Sequence, residues 1–94
     1  MWRGDGLTNM EGKEEDANLR RDIGANIKRL RRERGWTQAD LARESGLSID
    51  TVRSYEGGRT SPSVVSLAAL KRALRCSSDE IIGDALEKIY GSNK

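Results

Sequence analysis

The chain has 94 residues, with seventeen Lys and Arg, fifteen Asp and Glu, no histidine and one cysteine, Cys76. This length suits one small domain whose core is compact or completed by a partner, and the composition excludes an internal disulfide and a Cys/His zinc cluster. Because no stretch approaches the ~20 apolar residues that span a bilayer, and no set of nucleophile, base and metal ligands can be assembled, we expect no membrane span, no enzyme activity, no metal and no cofactor.

The formal charge of +2 is the sum of two unlike parts. Residues 1–19 contain two bases and five acids, a net −3, so the remaining residues carry +5. Seven bases against two acids lie between residues 20 and 34. Such a concentration favours a polyanionic partner, although a solvated helix face would explain it equally well.

Residues 1–19 are rich in Gly, Asn, Asp and Glu and show no sustained apolar periodicity. We predict a disordered N-terminal tail. Trp2 could instead dock on the domain or on a partner, and Met10 could be the natural start of translation, with residues 1–9 an extension.

From Arg20 the pattern becomes helical, because Ile23, Ile27 and Leu30 recur at helical spacing as far as a terminating Gly35. Residues 37–56 then predict two short helices. Thr37 caps the first and Ser48 the second. Between them Gly46 provides a left-handed turn, and apolar side chains pack one helix across the other: Leu41, Ala42, Leu47, Val52 and Tyr55.

Two further helices follow a turn-rich loop. Pro62 favours the start of a fourth helix, which is broadly apolar and expected to be central to the core. Ser77 and Glu80 form a capping box for a fifth helix, which ends at Gly83 or continues to Tyr90. The prediction is an all-α, compact five-helix domain over residues 20–83, with a helical extension or tail at 84–94.

Residues 20–82 resemble the XRE family of phage Cro and repressor-type helix-turn-helix proteins, through the motif in residues 37–56. The resemblance implies sequence-specific binding to double-stranded DNA and regulation of transcription. It also implies a cytoplasmic protein that associates with the nucleoid through DNA.

By the same resemblance, Gln38 contacts a DNA phosphate at the N-terminus of the first motif helix. Arg59, and the backbone amides that Gly58 allows to approach closely, are further phosphate contacts. Arg31 pairs with Glu56 and clamps the recognition helix to helix one. Ordinary surface roles are the alternative for Gln38 and Arg59.

The recognition helix, residues 48–56, would enter the major groove. The resemblance places Ile49, Asp50 and Ser54 at base edges, with Ser48 at the edge of the groove. Side-chain chemistry suggests Ile49 against a thymine methyl, Asp50 accepting from cytosine N4, and Arg53 reaching guanine or phosphate. For Asp50, capping of the helix is an equally good alternative.

The C-terminal region contains more apolar surface than a four-helix DNA-binding unit needs. We predict a dimer interface that includes Ile82, Leu86, Ile89 and Tyr90. The alternative is that Ile81 or Ile82 only closes the core. Trp36 is expected to be a core wedge, and Cys76 a small buried hydrophobe.

These predictions converge on a homodimeric transcriptional regulator, acting as a repressor on a two-fold operator. The alternative is an antitoxin or other interaction module, in which the acidic tail or the last helix binds a protein partner such as a toxin or an anti-repressor. Phage repressors, restriction-modification controllers and antitoxins all remain open.

Overall fold

The computed structural model describes residues 5–83, and for residues 5–16 it describes the backbone alone. Helix α1 comprises Asp5–Glu33, α2 Gln38–Ser45, α3 Ile49–Glu56 and α4 Val64–Leu74. A fifth helix, α5, begins at residue 78 and is described as far as residue 83. Residues 5–83 contain no strand, which confirms the predicted all-α, five-helix architecture.

Helix α1 begins earlier than the sequence pattern predicts. Its 29 residues start at Asp5 rather than at Arg20. The prediction of a disordered tail is therefore wrong for residues 5–19. Propagating an existing helix adds one hydrogen bond per residue without a new nucleation step, so the Glu, Lys, Ala, Leu and Met of this segment extend α1 despite its glycines.

The core lies where α3 packs against both α1 and α2, and where α4 closes over α2. Its side chains come from all five helices, and the predicted apolar positions of helix one and of the two motif helices are among them. Leu47, which was predicted to pack with them, is partly buried against this cluster. The buried apolar residues are Ile23, Ile27, Leu30, Leu41, Ala42, Val52, Tyr55, Leu70, Leu74 and Ile81.

Helix α4 is less central than its composition predicts. Leu70 and Leu74 are fully buried, but Val64 and Val65 in the first turn are 84% and 79% exposed. The helix begins after Pro62, with Ser63 as its N-cap, so its first turn extends beyond the core. The apolar character of a helix does not show where its neighbours end.

Helix α5 is fixed to the domain by its start and by α1. The predicted capping box is present, since the Ser77 amide donates to Glu80 and the Glu80 amide donates to the Ser77 hydroxyl. The buried Asn26 donates from Nδ2 to the carbonyl of Ile81 at 2.7 Å. Among the residues described, no helix is long and apolar enough to cross a membrane.

Ile82 is the one predicted dimer residue within the described range, and it is partly buried against the core. Leu86, Ile89 and Tyr90 lie outside the described residues, as does the choice between an end at Gly83 and a longer last helix. Cys76 is half-buried beside the core, and burial raises the pKa of its thiol, with Glu80 adding to the effect.

Candidate nucleic-acid interface

The connection between α2 and α3 has the predicted local geometry. Thr37 accepts from the Asp40 amide and Asp40 accepts from the Thr37 amide, so a complete capping box begins α2. Gly46 ends the helix with φ of 80°, a left-handed conformation that glycine adopts without steric penalty. Ser48 then begins α3 by accepting from the Thr51 amide at 3.0 Å. The turn therefore sets α3 across α2.

The outer face of α3 contains most of the residues predicted to read bases. Asp50 and Arg53 are exposed, Ser54 is half-buried, and Val52 and Tyr55 point into the core. Ile49 differs from the expectation of a fully outward side chain: it is half-buried and packs against the core. This packing leaves only part of its side chain accessible for contact with a base methyl group.

Asp50 does not cap α3, because Ser48 already occupies the N-cap position. The Asp50 carboxylate is instead 90% exposed and lies 3.6 Å from Arg53 Nη1. This open ion pair contributes little to stability. Arg53 can therefore exchange Asp50 for a base or a phosphate, and Asp50 can exchange Arg53 for a base. The Ser48 hydroxyl also shares a hydrogen bond with the Thr51 hydroxyl. A contact between Ser48 and DNA would therefore share or replace that bond.

The inner end of α3 is anchored by the predicted pair of charges. Arg31 donates from Nε to Glu56 Oε2 at 2.7 Å and from Nη2 to Glu56 Oε1 at 3.0 Å. The two side chains are only 9% and 3% exposed. Arg31 also donates from Nη1 to the Trp36 carbonyl at 2.6 Å. A buried, bidentate pair of this kind fixes geometry more than it adds net stability.

Gln38, the predicted phosphate ligand, begins α2 and is half-buried. Its Nε2 donates to Glu56 Oε1 at 3.0 Å. The sequence predicts the phosphate contact and the ion pair separately. The structure brings them together in one hydrogen-bonded group that consists of Arg31, Glu56 and Gln38.

The amides of the turn after α3 bond to the helix itself. The amides of Gly57, Gly58 and Arg59 donate to the carbonyls of Arg53, Tyr55 and Ser54, respectively. These three amides therefore satisfy the end of α3 in the free protein, and the approach of the Gly58 amide to phosphate stays a prediction.

Glycine is nevertheless required at position 58. Its φ is 75°, and a Cβ there would lie 2.9 Å from Cγ of Arg21. Arg20 donates from Nε to the Gly58 carbonyl at 3.3 Å. The turn is thus packed against α1 at Arg21, and both Arg21 and Arg59 are exposed.

The structure divides the basic run of α1 by function. Arg31 is held by Glu56, and Arg34 donates to the carbonyls of Leu30 and Leu74, which joins the ends of α1 and α4. Arg29 forms an exposed pair with Glu33 at 3.2 Å. Arg20 donates to the Gly58 carbonyl and Arg21 to Asn18. With Lys28 and Arg32 they are the bases that could face a polyanion.

Gly24 is a functional position that the sequence reasoning missed. A Cβ at this point of α1 would collide with the Tyr55 carbonyl oxygen and would lie 2.9 Å from that of Glu56. Helix α1 therefore approaches the end of α3 as closely as it does only because residue 24 has no side chain. A glycine inside an otherwise good helix was the available signal.

The chain is similar to known proteins. The protein-family model described as helix-turn-helix matches residues 27–81. The HTH-type transcriptional regulator y4dJ of Sinorhizobium fredii is 37% identical over 75 residues, which are 80% of this chain and 97% of that protein. The cryptic phage CTXphi transcriptional repressor RstR of Vibrio cholerae is 34% identical over 74 residues, 79% of this chain and 56% of that protein.

A solved structure is also similar. The restriction-modification controller protein C.AhdI from Aeromonas hydrophila is 31% identical and superimposes with a TM-score of 0.64, covering 66% of this chain and 94% of that chain. The chain thus spans nearly the full length of y4dJ and of this controller protein, but only about half of the phage repressor.

Proposed function

This chain belongs to the XRE family of helix-turn-helix transcriptional regulators, a class that acts without catalysis, and we propose that it represses transcription by binding a two-fold operator in duplex DNA as a homodimer. The observation that carries this proposal is that α3 is anchored to the domain with its outer face exposed. The helix is anchored at its inner end by the Arg31–Glu56 pair, while Asp50 and Arg53 are exposed on its outer face.

Base reading is assigned to the outer face of α3 in the major groove. The Asp50 carboxylate accepts from cytosine N4, Arg53 donates to guanine or to a phosphate, and Ser54 contacts a base edge at the end of the helix. Ser54 shares a hydrogen bond of 2.7 Å with the Thr60 hydroxyl, which orients it. Ile49 adds an apolar contact through its accessible part, and Ser48 lies at the edge of the groove.

Phosphate binding is assigned to groups around this helix. Gln38 and the free amides at the start of α2 contact one phosphate. Arg59 contacts another through its side chain, since the amides of the turn are engaged by α3. Arg20 and Arg21, which pack against the same turn, extend the positive surface.

Dimerisation would place two copies of α3 about 34 Å apart, one turn of B-DNA. We assign the interface to α5 and the residues after it, with Ile82, Leu86, Ile89 and Tyr90 as its apolar side chains. Binding at a promoter excludes polymerase, which makes repression the expected effect. The protein would work in the cytoplasm at the nucleoid, where the operator is.

The proposal is tested by selecting bound sequences from random duplex DNA at near-physiological salt. We expect an enriched palindrome, and we expect the Ile49→Ala, Asp50→Ala, Ser54→Ala triple variant to lose it. The matched control replaces Glu44, Val64 and Val65, exposed residues outside α3 and α5, with alanine and should keep the palindrome.

Enrichment of a non-repeated half-site would contradict the dimer but not the DNA reading. No enrichment by the folded wild-type protein would contradict the regulator proposal. It would shift weight to the interaction module, with a toxin or an anti-repressor as the partner.

A further inference from the structure

The side chain of Gln38 is held in one orientation by the protein itself. Its Nε2 lies 3.0 Å from Glu56 Oε1, which also accepts from Arg31 Nη2 at 3.0 Å. A carboxylate oxygen bonded to a guanidinium can only accept hydrogen bonds. The amide nitrogen of Gln38, and not its carbonyl oxygen, must therefore face Glu56.

Glu56 is itself held by hydrogen bonds. Its side chain is 3% exposed and both of its oxygens are engaged by Arg31. Arg31 is in turn bonded to the Trp36 carbonyl, two residues before Gln38. The hydrogen-bonded group thus runs from α1 through the end of α3 to the first residue of α2, and every member has a partner that limits its motion.

We propose that Glu56 is a positioning residue for DNA binding, which pre-orders the Gln38 amide so that its second N–H is presented to a DNA phosphate. This inference rests on the proposed function. The amide nitrogen has two hydrogens, of which Glu56 takes one. Because a free glutamine must lose side-chain entropy when it binds, pre-ordering raises affinity by about threefold to tenfold.

The Arg31–Glu56 pair, called the clamp below, therefore serves two purposes. It holds α3 against α1, and it fixes Gln38, the phosphate ligand of α2. Arg59 provides the contrast within the molecule. It is an exposed phosphate ligand in the proposed interface. Among the described residues, Glu56 bonds Arg31 and Gln38 but not Arg59. Variants of Glu56 should affect binding through Gln38 without changing what Arg59 contributes.

The pre-ordering can be measured without DNA. Gln38 is the only glutamine in the chain, so labelling of glutamine side chains with nitrogen-15 gives one pair of amide proton signals. We expect this pair to be unequal in the free wild-type protein: the N–H that donates to Glu56 is protected from exchange with water, and the other is not. In the Arg31→Met, Glu56→Met double variant it should behave as a solvated glutamine does. Wild-type signals that already behave in that way would overturn the proposal.

The double variant is chosen because it removes one positive and one negative charge, which leaves the net charge unchanged. Replacing a buried ion pair with apolar side chains of similar volume preserves folding better than removing one partner. Circular dichroism and urea unfolding would verify that the variant is folded. The Glu56→Met single variant, which leaves Arg31 unpaired, is not suitable for this measurement.

The role in DNA binding is tested by a double-mutant cycle on the selected operator at fixed salt. We expect Gln38→Ala to lower affinity about tenfold, as for a lost hydrogen bond to a charged group. Loss of the clamp should cost about threefold to tenfold more in the wild-type background than once Gln38 is alanine, because the cost that remains with alanine comes from the orientation of α3 alone. Arg59→Ala should cost the same with and without the clamp.

The failures are distinguishable. If the losses of affinity caused by the clamp variant and by Gln38→Ala multiply, as they do for independent sites, Glu56 only orients α3. The positioning role is then wrong, while the regulator proposal stands. If Gln38→Ala has no effect on operator affinity, Gln38 is structural and the inference is wrong. If no DNA sequence is selected at all, the proposed function fails, and the role of Glu56 in DNA binding fails with it.

Discussion

The inner and outer sides of α3 are built in different ways. On the inner side, Glu56 is 3% exposed in a bidentate pair, and α1 approaches so closely that residue 24 must be glycine. On the outer side, Asp50 is 90% exposed and is paired only with Arg53 at 3.6 Å. Buried, non-local contacts fix the orientation of the helix, whereas Asp50 and Arg53 on its outer side remain exposed. Orientation and sequence preference should therefore respond to different substitutions.

The largest expected effect comes from leaving one member of the buried pair alone. Arg31→Met leaves Glu56 without its guanidinium, and we expect a loss of about 3–5 kcal/mol in the free energy of unfolding. The double variant Arg31→Met, Glu56→Met should lie within about 1 kcal/mol of the wild type. Urea unfolding measures both. Equal losses for the single and double variants would show that the pair contributes net stability, contrary to this view.

Gly24→Ala should have the next largest effect. Its methyl group would overlap the Tyr55 carbonyl, so α1 and the end of α3 must separate, at a cost of about 3 kcal/mol. Gly83→Ala is the matched control in a helix, because its Cβ would meet only Cβ of Asp79 at 3.8 Å. That change should stabilise the protein by up to about 1 kcal/mol. Similar unfolding curves for the two variants would contradict the close approach.

The outer side is expected to respond in DNA binding and not in stability. Arg59→Ala should weaken binding to all sequences and reduce the salt slope by about 1, whereas Asp50→Ala should change the preferred base at one position. The free energy of unfolding of both variants should stay within about 0.5 kcal/mol of the wild-type value. Arg72→Ala, which removes an equal charge from α4, is the control for net charge. Uniform losses for Arg59→Ala and Asp50→Ala alike would refute the division between phosphate and base contacts.

The parts of the fold that the sequence predicts correctly are mostly local. The caps at Thr37 and Ser48, the left-handed turn at Gly46 and the capping box at Ser77 each depend on side chains and amides a few residues apart. Such signals are complete within a short window of sequence. The pair of Arg31 with Glu56 is the exception, and it was accessible only through the resemblance to a family.

The features that the sequence did not predict depend on which helices meet. The proximity of Gly24 to α3, the bond from Arg34 to the end of α4 and the exposure of Val64 all require the packed arrangement. The same applies to the link between Gln38 and Glu56, whose residues are far apart in the chain. Periodicity shows that a face is apolar, but it does not show how far the neighbouring helix extends.

The smallest expected effect comes from the carboxylate of Asp40, in the first turn of α2. Hydrogen bonding to the Thr37 amide, with Arg43 adding to it, holds the pKa of Asp40 below the usual 3.8. A lowered pKa in the folded state means that the stabilisation is present above the unfolded-state value and is lost as the pH falls through the folded-state value. Stability should therefore decline below about pH 4.

Asp40→Asn should make that part of the pH profile flatter. Urea unfolding between about pH 5 and pH 2 would measure the change, because carboxyl groups titrate in this range. The acid loss should be small beside that of Arg31→Met, because the Asp40 carboxylate lies at the surface, where water and salt screen its interactions. Operator binding at neutral pH should not change. A profile that keeps its full slope in Asp40→Asn would assign the acid sensitivity to other carboxylates.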